Sequence, residues 1–156
     1  MKLSKGAKHL LIRITITVAV IFVLSRIFVI HRHTGNEMFP AVRDGDLCIF
    51  YTLDKLHLND VVYYKSNDTM KVGRIVAMPN QTVSFENGFT VDDYHPSEEI
   101  FYETLPGKKT KVKLYDDDYY ILNDYRTSKT DSRSFGAVSK SDIKGQLIFI
   151  LRRRDF

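Results

Sequence analysis

The sequence predicts a mostly β domain, built as antiparallel sheet and preceded by one N-terminal transmembrane helix. Three observations lead there. Residues 10–30 are apolar apart from Arg13, Arg26 and a few hydroxyl residues. From Asp46 onward, short runs rich in Val, Ile, Tyr and Phe recur at regular spacing. Asn87-Gly88 sits between Val83-Ser84-Phe85 and Phe89-Thr90-Val91. Asn and Gly tolerate the positive φ of a type I′ turn, so this segment predicts a tight hairpin.

The N-terminal run comes first. A helix over residues 10–30 would be about 30 Å long, the thickness of a bilayer core. Arg13 and Arg26 stand toward its two ends, where long side chains snorkel to the headgroups. A cleaved secretory signal would need a small-x-small site after the apolar run. Ser25-Arg26-Ile27 and the residues up to His31 offer none. The segment therefore reads as an uncleaved anchor. Lys2, Lys5, Lys8 and Arg13 outnumber Arg26 and Arg32 on the far side. That bias places a short tail, residues 1–9, in the cytoplasm and residues 31–156 outside the cell.

In the outer domain, strands are expected at 46–51, 61–65, 72–78, 82–85, 89–91, 112–115, 119–122 and 146–151. Residues 92–110, with Pro96, Pro106 and Gly107, read as a surface loop or flap. No internal repeat interrupts this pattern, and 156 residues suffice for one domain with its anchor.

Composition excludes several function classes. The net charge is +4, but the basic excess gathers at the ends, in Lys2, Lys5, Lys8 and residues 152–154. The middle is mixed and locally acidic at Asp116, Asp117 and Asp118, which argues against a nucleic-acid groove. Those acids read as a solvated turn rather than a calcium site. Cys48 is the only cysteine, so no intramolecular disulfide forms, and its apolar run makes it a buried core thiol. No His and Cys spacing resembles a zinc site. His31 and His33 read as part of a solvated juxtamembrane loop. No metal or cofactor is implied.

Three ordered segments carry a resemblance. The first is Gly35-Asn36-Glu37-Met38-Phe39-Pro40 with Arg43-Asp44-Gly45-Asp46 after it. The second is Val72-Gly73-Arg74-Ile75-Val76-Ala77-Met78-Pro79. The third is Asn123-Asp124-Tyr125-Arg126 followed by Asp131-Ser132-Arg133-Ser134-Phe135-Gly136. Together they resemble the nucleophile, lysine and Gly-Asp-Asn-Arg/Asp-Ser-Arg boxes of type I signal peptidases, in that family's order and behind a single span.

The resemblance implies a catalytically degenerate member. In that family a serine is activated by a lysine kept neutral through burial, and backbone amides bind the oxyanion. Here Glu37 falls on the serine position and Gly73 on the lysine position. A carboxylate attacking an amide would form an anhydride against a poor leaving group, and glycine offers no base. Losing members of such a unit costs about three to six orders of magnitude. Asn123, Tyr125 and Lys129 depart as well, from a glycine, an asparagine and a serine. Met38, Pro40, Arg74, Pro79, Asp124, Arg126, Asp131, Ser132, Arg133 and Gly136 match.

By the same resemblance, the former substrate cleft is expected to involve Gly35, Glu37, Met38, Pro40, Lys71, Arg74, Pro79, Lys129, Asp131, Ser132 and Arg133. A cation from Lys71, Arg74 or Lys129 is expected beside Glu37, with Lys129 favoured. The chain looks like the signal-peptidase-like pilus assembly proteins of Gram-positive bacteria, which implies a pilin subunit or a pilus sortase as partner. One rival is a working peptidase with a relocated dyad, drawing an amine from Lys71 or Lys129 and a hydroxyl from Thr34 or Ser132. Another is a structural partner that binds away from the cleft. If only the reacting groups are lost, Glu37→Ser with Gly73→Lys should restore weak peptidase activity.

Overall fold

A computed structural model describes residues 5–53, 55–86, 88–96 and 111–152. The chain begins with one helix, α1 (Lys5–Ile27), of 23 residues and about 34 Å. It is long and apolar enough to cross a membrane, and none of its apolar window is buried by the rest of the protein. Its hydroxyl residues do not break the apolar character. Thr15 and Thr17 donate to the carbonyls of Leu11 and Arg13, four residues back, and Ser25 donates to that of Phe22.

The helix starts inside the expected tail and ends three residues short of the expected span. Phe28, Val29 and Ile30 belong instead to β1 (Phe28–Arg32), which follows without a linker. The last helical carbonyls explain the switch. Thr52 donates its N–H to Ile27 and its hydroxyl to Arg26, so the helix end is tied to the end of β2 (Leu47–Tyr51). An apolar run suits helix and buried strand equally, and periodicity alone does not separate them.

The remaining strands are β3 (Val61–Ser66), β4 (Thr69–Ala77), β5 (Thr82–Ser84), β6 (Thr90–Val91), β7 (Lys111–Lys113), β8 (Asp118–Leu122), β9 (Val138–Ser139) and β10 (Ile143–Leu151). Strand β9 and the one-turn helix α2 (Ser132–Phe135) are additions to the sequence expectation, too short to leave a periodic signal. The antiparallel main sheet runs β1-β2-β10-β3-β4-β8-β9, and a small one runs β6-β5-β7. Strand β10 spans the junction, pairing β2 on one side and β3 on the other with irregular register on both sides. Such irregularities bend a sheet and strengthen its twist. The expected hairpin pairs Val83 with Val91 and Ser84 with Thr90, and Gly88 has φ +92°. The turn residue Asn87 lies outside the described residues, as does most of the expected flap (97–110).

Alternation sets the two faces at the helix end. Val29, Phe50 and Leu147 align across β1, β2 and β10 and pack into a core with Met38, Val42, Cys48, Val61 and Val72. The other register row, Ile30, Ile49 and Phe149, leaves Ile30 and Phe149 exposed. A second core joins Val62, Tyr64, Ile75, Tyr119, Ile121 and Val138. A third fills the space between the small sheet and β4–β8, around Phe85, Phe89, Leu114 and Tyr120. Cys48 is a buried core thiol, its pKa pushed up to about 11 by burial and by the neighbouring Asp46 carboxylate.

Candidate functional site

The loop 35–46 is braced from both ends. Met38 and Val42 are fully buried and act as its apolar feet. Gly35 N–H donates to Asp44 Oδ1 at 2.8 Å, and Arg43 N–H to Asp46 Oδ2 at 2.9 Å. Asp46 is itself buried and receives the Arg152 guanidinium at 3.1 Å, which also donates to the Ala41 carbonyl. Burial raises the Asp46 pKa, but the Arg152 and Arg43 hydrogen bonds outweigh it and leave the carboxyl below its ordinary value.

Glu37 lies on this loop, and its carbonyl accepts from Tyr125 N–H at 2.8 Å. The side chain is half-buried. Its carboxylate lies against the α-carbon of Gly35, where φ is +97° and any Cβ would run into Glu37 Oε2. Gly35 is thus favoured by its left-handed backbone angle, which an L side chain would strain.

The carboxylate faces a cleft of about 170 Å³ lined by His31, His33, Thr34, Glu37, Met70, Lys71, Val72, Asn123 and Thr130. Three elements build it. Strand β1 and its continuation bring the histidines, β4 brings residues 70–72, and the loop after β8 brings Asn123 and Thr130. Lys71 Nζ donates to the Thr130 carbonyl at 3.2 Å, bridging two of the walls. The amide nitrogen of Asn123 donates to the hydroxyls of Ser128 and Thr130.

Of the residues expected at the cleft, Glu37 and Lys71 line it and Gly35 backs Glu37. The others do different work. Met38 is core, and Pro40 follows a cis peptide bond on the exposed side of the loop. Pro79 stands in the turn after β4. Arg74 points elsewhere, holding Asp124 in a two-pronged pair at 2.6 and 2.7 Å and the Asn59 carbonyl at 2.8 Å. Lys129 is exposed and does not line the cleft.

Asp131, Ser132 and Arg133 form a buried brace behind the cleft. Asp131 accepts from the Arg133 guanidinium at 2.7 and 2.9 Å, from Arg133 N–H, and from Asn123 N–H at 3.1 Å. Ser132 Oγ accepts from Ile121 N–H at 3.0 Å. Arg133 also donates to the carbonyls of Arg126 and Ser128. This explains why these polar residues sit in the core: every one is hydrogen-bonded.

The expected cation beside Glu37 is absent among the described residues, where the carboxylate forms no ion pair and receives no side-chain hydrogen bond. Arg74 instead pairs with Asp124, and Lys71 donates to the Thr130 carbonyl. Ser132 Oγ is buried against Ile121, and Thr34 makes no hydrogen bond to an amine among the described residues.

Gly73 lies on β4 opposite Val62 of β3. A Cβ there would meet Ile121 Cγ2 at 2.5 Å and Tyr64 Cε1 at 3.1 Å. The site offers neither a base nor the space for one.

The histidines were the residues sequence reasoning missed. His31 packs against Tyr63 in a tilted ring contact, with centroids 4.7 Å apart. His33 is 5% exposed, with Nε2 buried and without a hydrogen-bond partner. They are not in a solvated loop, because β1 starts earlier than the apolar run suggests. The signal was period two: Val29, His31 and His33 alternate with Ile30 and Arg32, as on one strand face. No group of three or more potential metal ligands converges among the described residues.

Burial lowers the His33 pKa, against the opposing pull of Glu37, Asp44 and Asp46, and burial aided by His33 lowers that of His31. The unfolded chain therefore takes up protons first as the solution is acidified. Stability is complete above the ordinary histidine pKa of about 6.5 and falls as the pH drops below it. Denaturation of the full chain in detergent between about pH 7.5 and 5.5 should show this decline. His33→Leu should flatten the slope; an unchanged slope would contradict the assignment.

The family profile described as signal peptidase, peptidase S26, matches residues 7–152. The chain belongs to the signal peptidase family. It is similar to the inactive signal peptidase IA of Staphylococcus aureus, at 26% identity over 158 residues, covering 93% of this chain and 91% of that protein. It is also similar to signal peptidase I S of Bacillus subtilis, at 24% identity over 134 residues and 74% and 72% coverage. A solved signal peptidase I structure from Enterococcus faecalis has 20% identity and a TM-score of 0.49, covering 61% of this chain and 98% of that one. The chain itself has one N-terminal apolar helix before an antiparallel β domain.

Proposed function

We propose that this chain is a non-catalytic, signal-peptidase-like membrane protein that holds an extended segment of a partner in the former substrate cleft. Glu37 and Gly73 stand where the family's serine and lysine stand. The observation that carries the reading is their contrast with the rest of the site: the reacting positions are a carboxylate and a glycine with no space for a side chain, while the cleft that Glu37 lines stays open and braced.

Sheet pairing supports the binding mode. Strand β4 pairs β8 at Arg74, Ile75 and Ala77, so residues 69–73, beside the cleft, have no strand partner on that side among the described residues. Strand β1 is the outer edge of the main sheet. An extended peptide laid between two such edges gains main-chain hydrogen bonds.

In this reading α1 anchors the chain in the membrane with its amino end cytoplasmic and the domain at the cell surface. The exposed Ile30 and Phe149 beside the helix end agree with a domain seated near the bilayer. By resemblance to the pilus assembly proteins, the partner is a pilin subunit or a pilus sortase, and the role is accessory to sortase-dependent polymerisation.

The test is capture of a pilin and a sortase by the detergent-solubilised full chain and by Glu37→Lys. A charge-reversing, bulkier side chain at the centre of a contact should weaken capture by about 1–3 kcal/mol. No cleavage of a pilin precursor is expected. Equal capture by a normally folded Glu37→Lys protein would move the working surface away from the cleft.

A further inference from the structure

We infer that the cleft receives a cationic side chain, a lysine or arginine carried by the bound segment, with Glu37 and His33 as its acceptors. This rests on the cleft-holding reading and deepens it by naming the chemistry that the cleft selects.

Donors and acceptors on the cleft wall do not balance. Its amine and amide donors are engaged, Lys71 Nζ on the Thr130 carbonyl and the Asn123 amide nitrogen on two hydroxyls, while the Thr34 hydroxyl and the His31 ring line it as neutral groups that can donate or accept. The acceptors on Glu37 and His33 are not engaged. The Glu37 carboxylate, with about four lone-pair sites, receives no side-chain donor among the described residues. His33 Nε2 is buried at the same cleft without a partner. Burial keeps that imidazole neutral, so in the tautomer with the proton on Nδ1 its Nε2 accepts.

The alternatives fit less well. An apolar side chain would desolvate the carboxylate and leave both groups unmet, which is costly. An anionic one would be pressed against Glu37, with Asp44 and Asp46 behind His33. A lysine or arginine supplies several donors on a flexible stem, and Met70 and Val72 give the stem an apolar wall. Among the described residues lining the cleft, Lys71 is the like charge, and its ammonium is held on the Thr130 carbonyl.

The probe is a blocked extended peptide, acetyl-Val-Thr-Lys-Thr-Val-amide, with arginine, norleucine, glutamate and alanine versions, titrated against the full chain in lipid nanodiscs. The lysine or arginine version should bind at least about tenfold tighter than norleucine, and added salt should reduce the difference. Glu37→Gln should erase it, and lysine binding should shift the His33 ring resonances. Equal affinity for lysine and norleucine, or tighter binding of alanine, would overturn the cationic reading while leaving a peptide-holding cleft. Absence of lysine-peptide binding at millimolar concentration would also overturn it. The cleft-holding reading fails separately, if Glu37→Lys captures the protein partner as well as wild type does.

Discussion

Gly73→Lys, alone or together with Glu37→Ser, is expected to yield no peptidase activity and a destabilised protein. The sequence alone argued the reverse, that restoring serine and lysine would restore weak chemistry. Packing overturns it. The first side-chain atom added at Gly73 would lie 2.5 Å from Ile121 Cγ2 and 3.1 Å from Tyr64 Cε1. Ile121 and Tyr64 are both fully buried, on the strands flanking β4. Neither can move aside without opening the core they form with Val62 and Ile75. Overpacking of this kind costs about 1–3 kcal/mol. A lysine adds the cost of burying an amine, so a loss of several kcal/mol is expected. Gly73→Ala isolates the steric part and should lower the denaturation midpoint by itself. Adding Ile121→Ala to the double substitution should recover part of the stability. A soluble, cooperatively folding Glu37→Ser/Gly73→Lys protein that cleaves a precursor would show that the lysine site is still open.

Asp131→Ala is expected to have the largest effect of any single change in the third segment, about 3–5 kcal/mol, because it removes the carboxylate that accepts from the buried Arg133 guanidinium. The Arg133 side chain is 3% exposed and that of Asp131 0%. Asp131 also accepts from Asn123 N–H, and Arg133 holds the carbonyls of Arg126 and Ser128. Thus the pair clamps the loop that brings Asn123 and Thr130 to the cleft. Loss of the clamp should reduce partner capture along with stability. Replacing both residues with apolar ones of similar volume should cost less than Asp131→Ala, since no charge is left stranded. Equilibrium denaturation in detergent reads both; a loss below about 1 kcal/mol for Asp131→Ala would mean the pair is not the clamp.

The sequence by itself determined what depends on neighbours along the chain. The apolar stretch gave the helix, alternation gave most strands of the main sheet, and the ordered segments gave the family. It also gave Glu37, because a charged residue between Gly35 and the Met38-Phe39-Pro40 turn is a local feature. Tertiary structure decided where the chain leaves the helix, since Phe28, Val29 and Ile30 suit helix and strand alike until Leu47–Tyr51 pairs with them. That shift moved His31 and His33 from solvent to the cleft wall.

It also decided which charges meet. Arg74 finds Asp124, 50 residues away, and Lys71 finds the Thr130 carbonyl, 59 residues away, so neither reaches Glu37. Gly73 is a glycine like any other in the sequence, and only the strand order puts Ile121 and Tyr64 against it. Periodicity records which face a side chain takes. What that face meets is set by strands brought together from distant parts of the chain, and that information appears only when the sheet has closed.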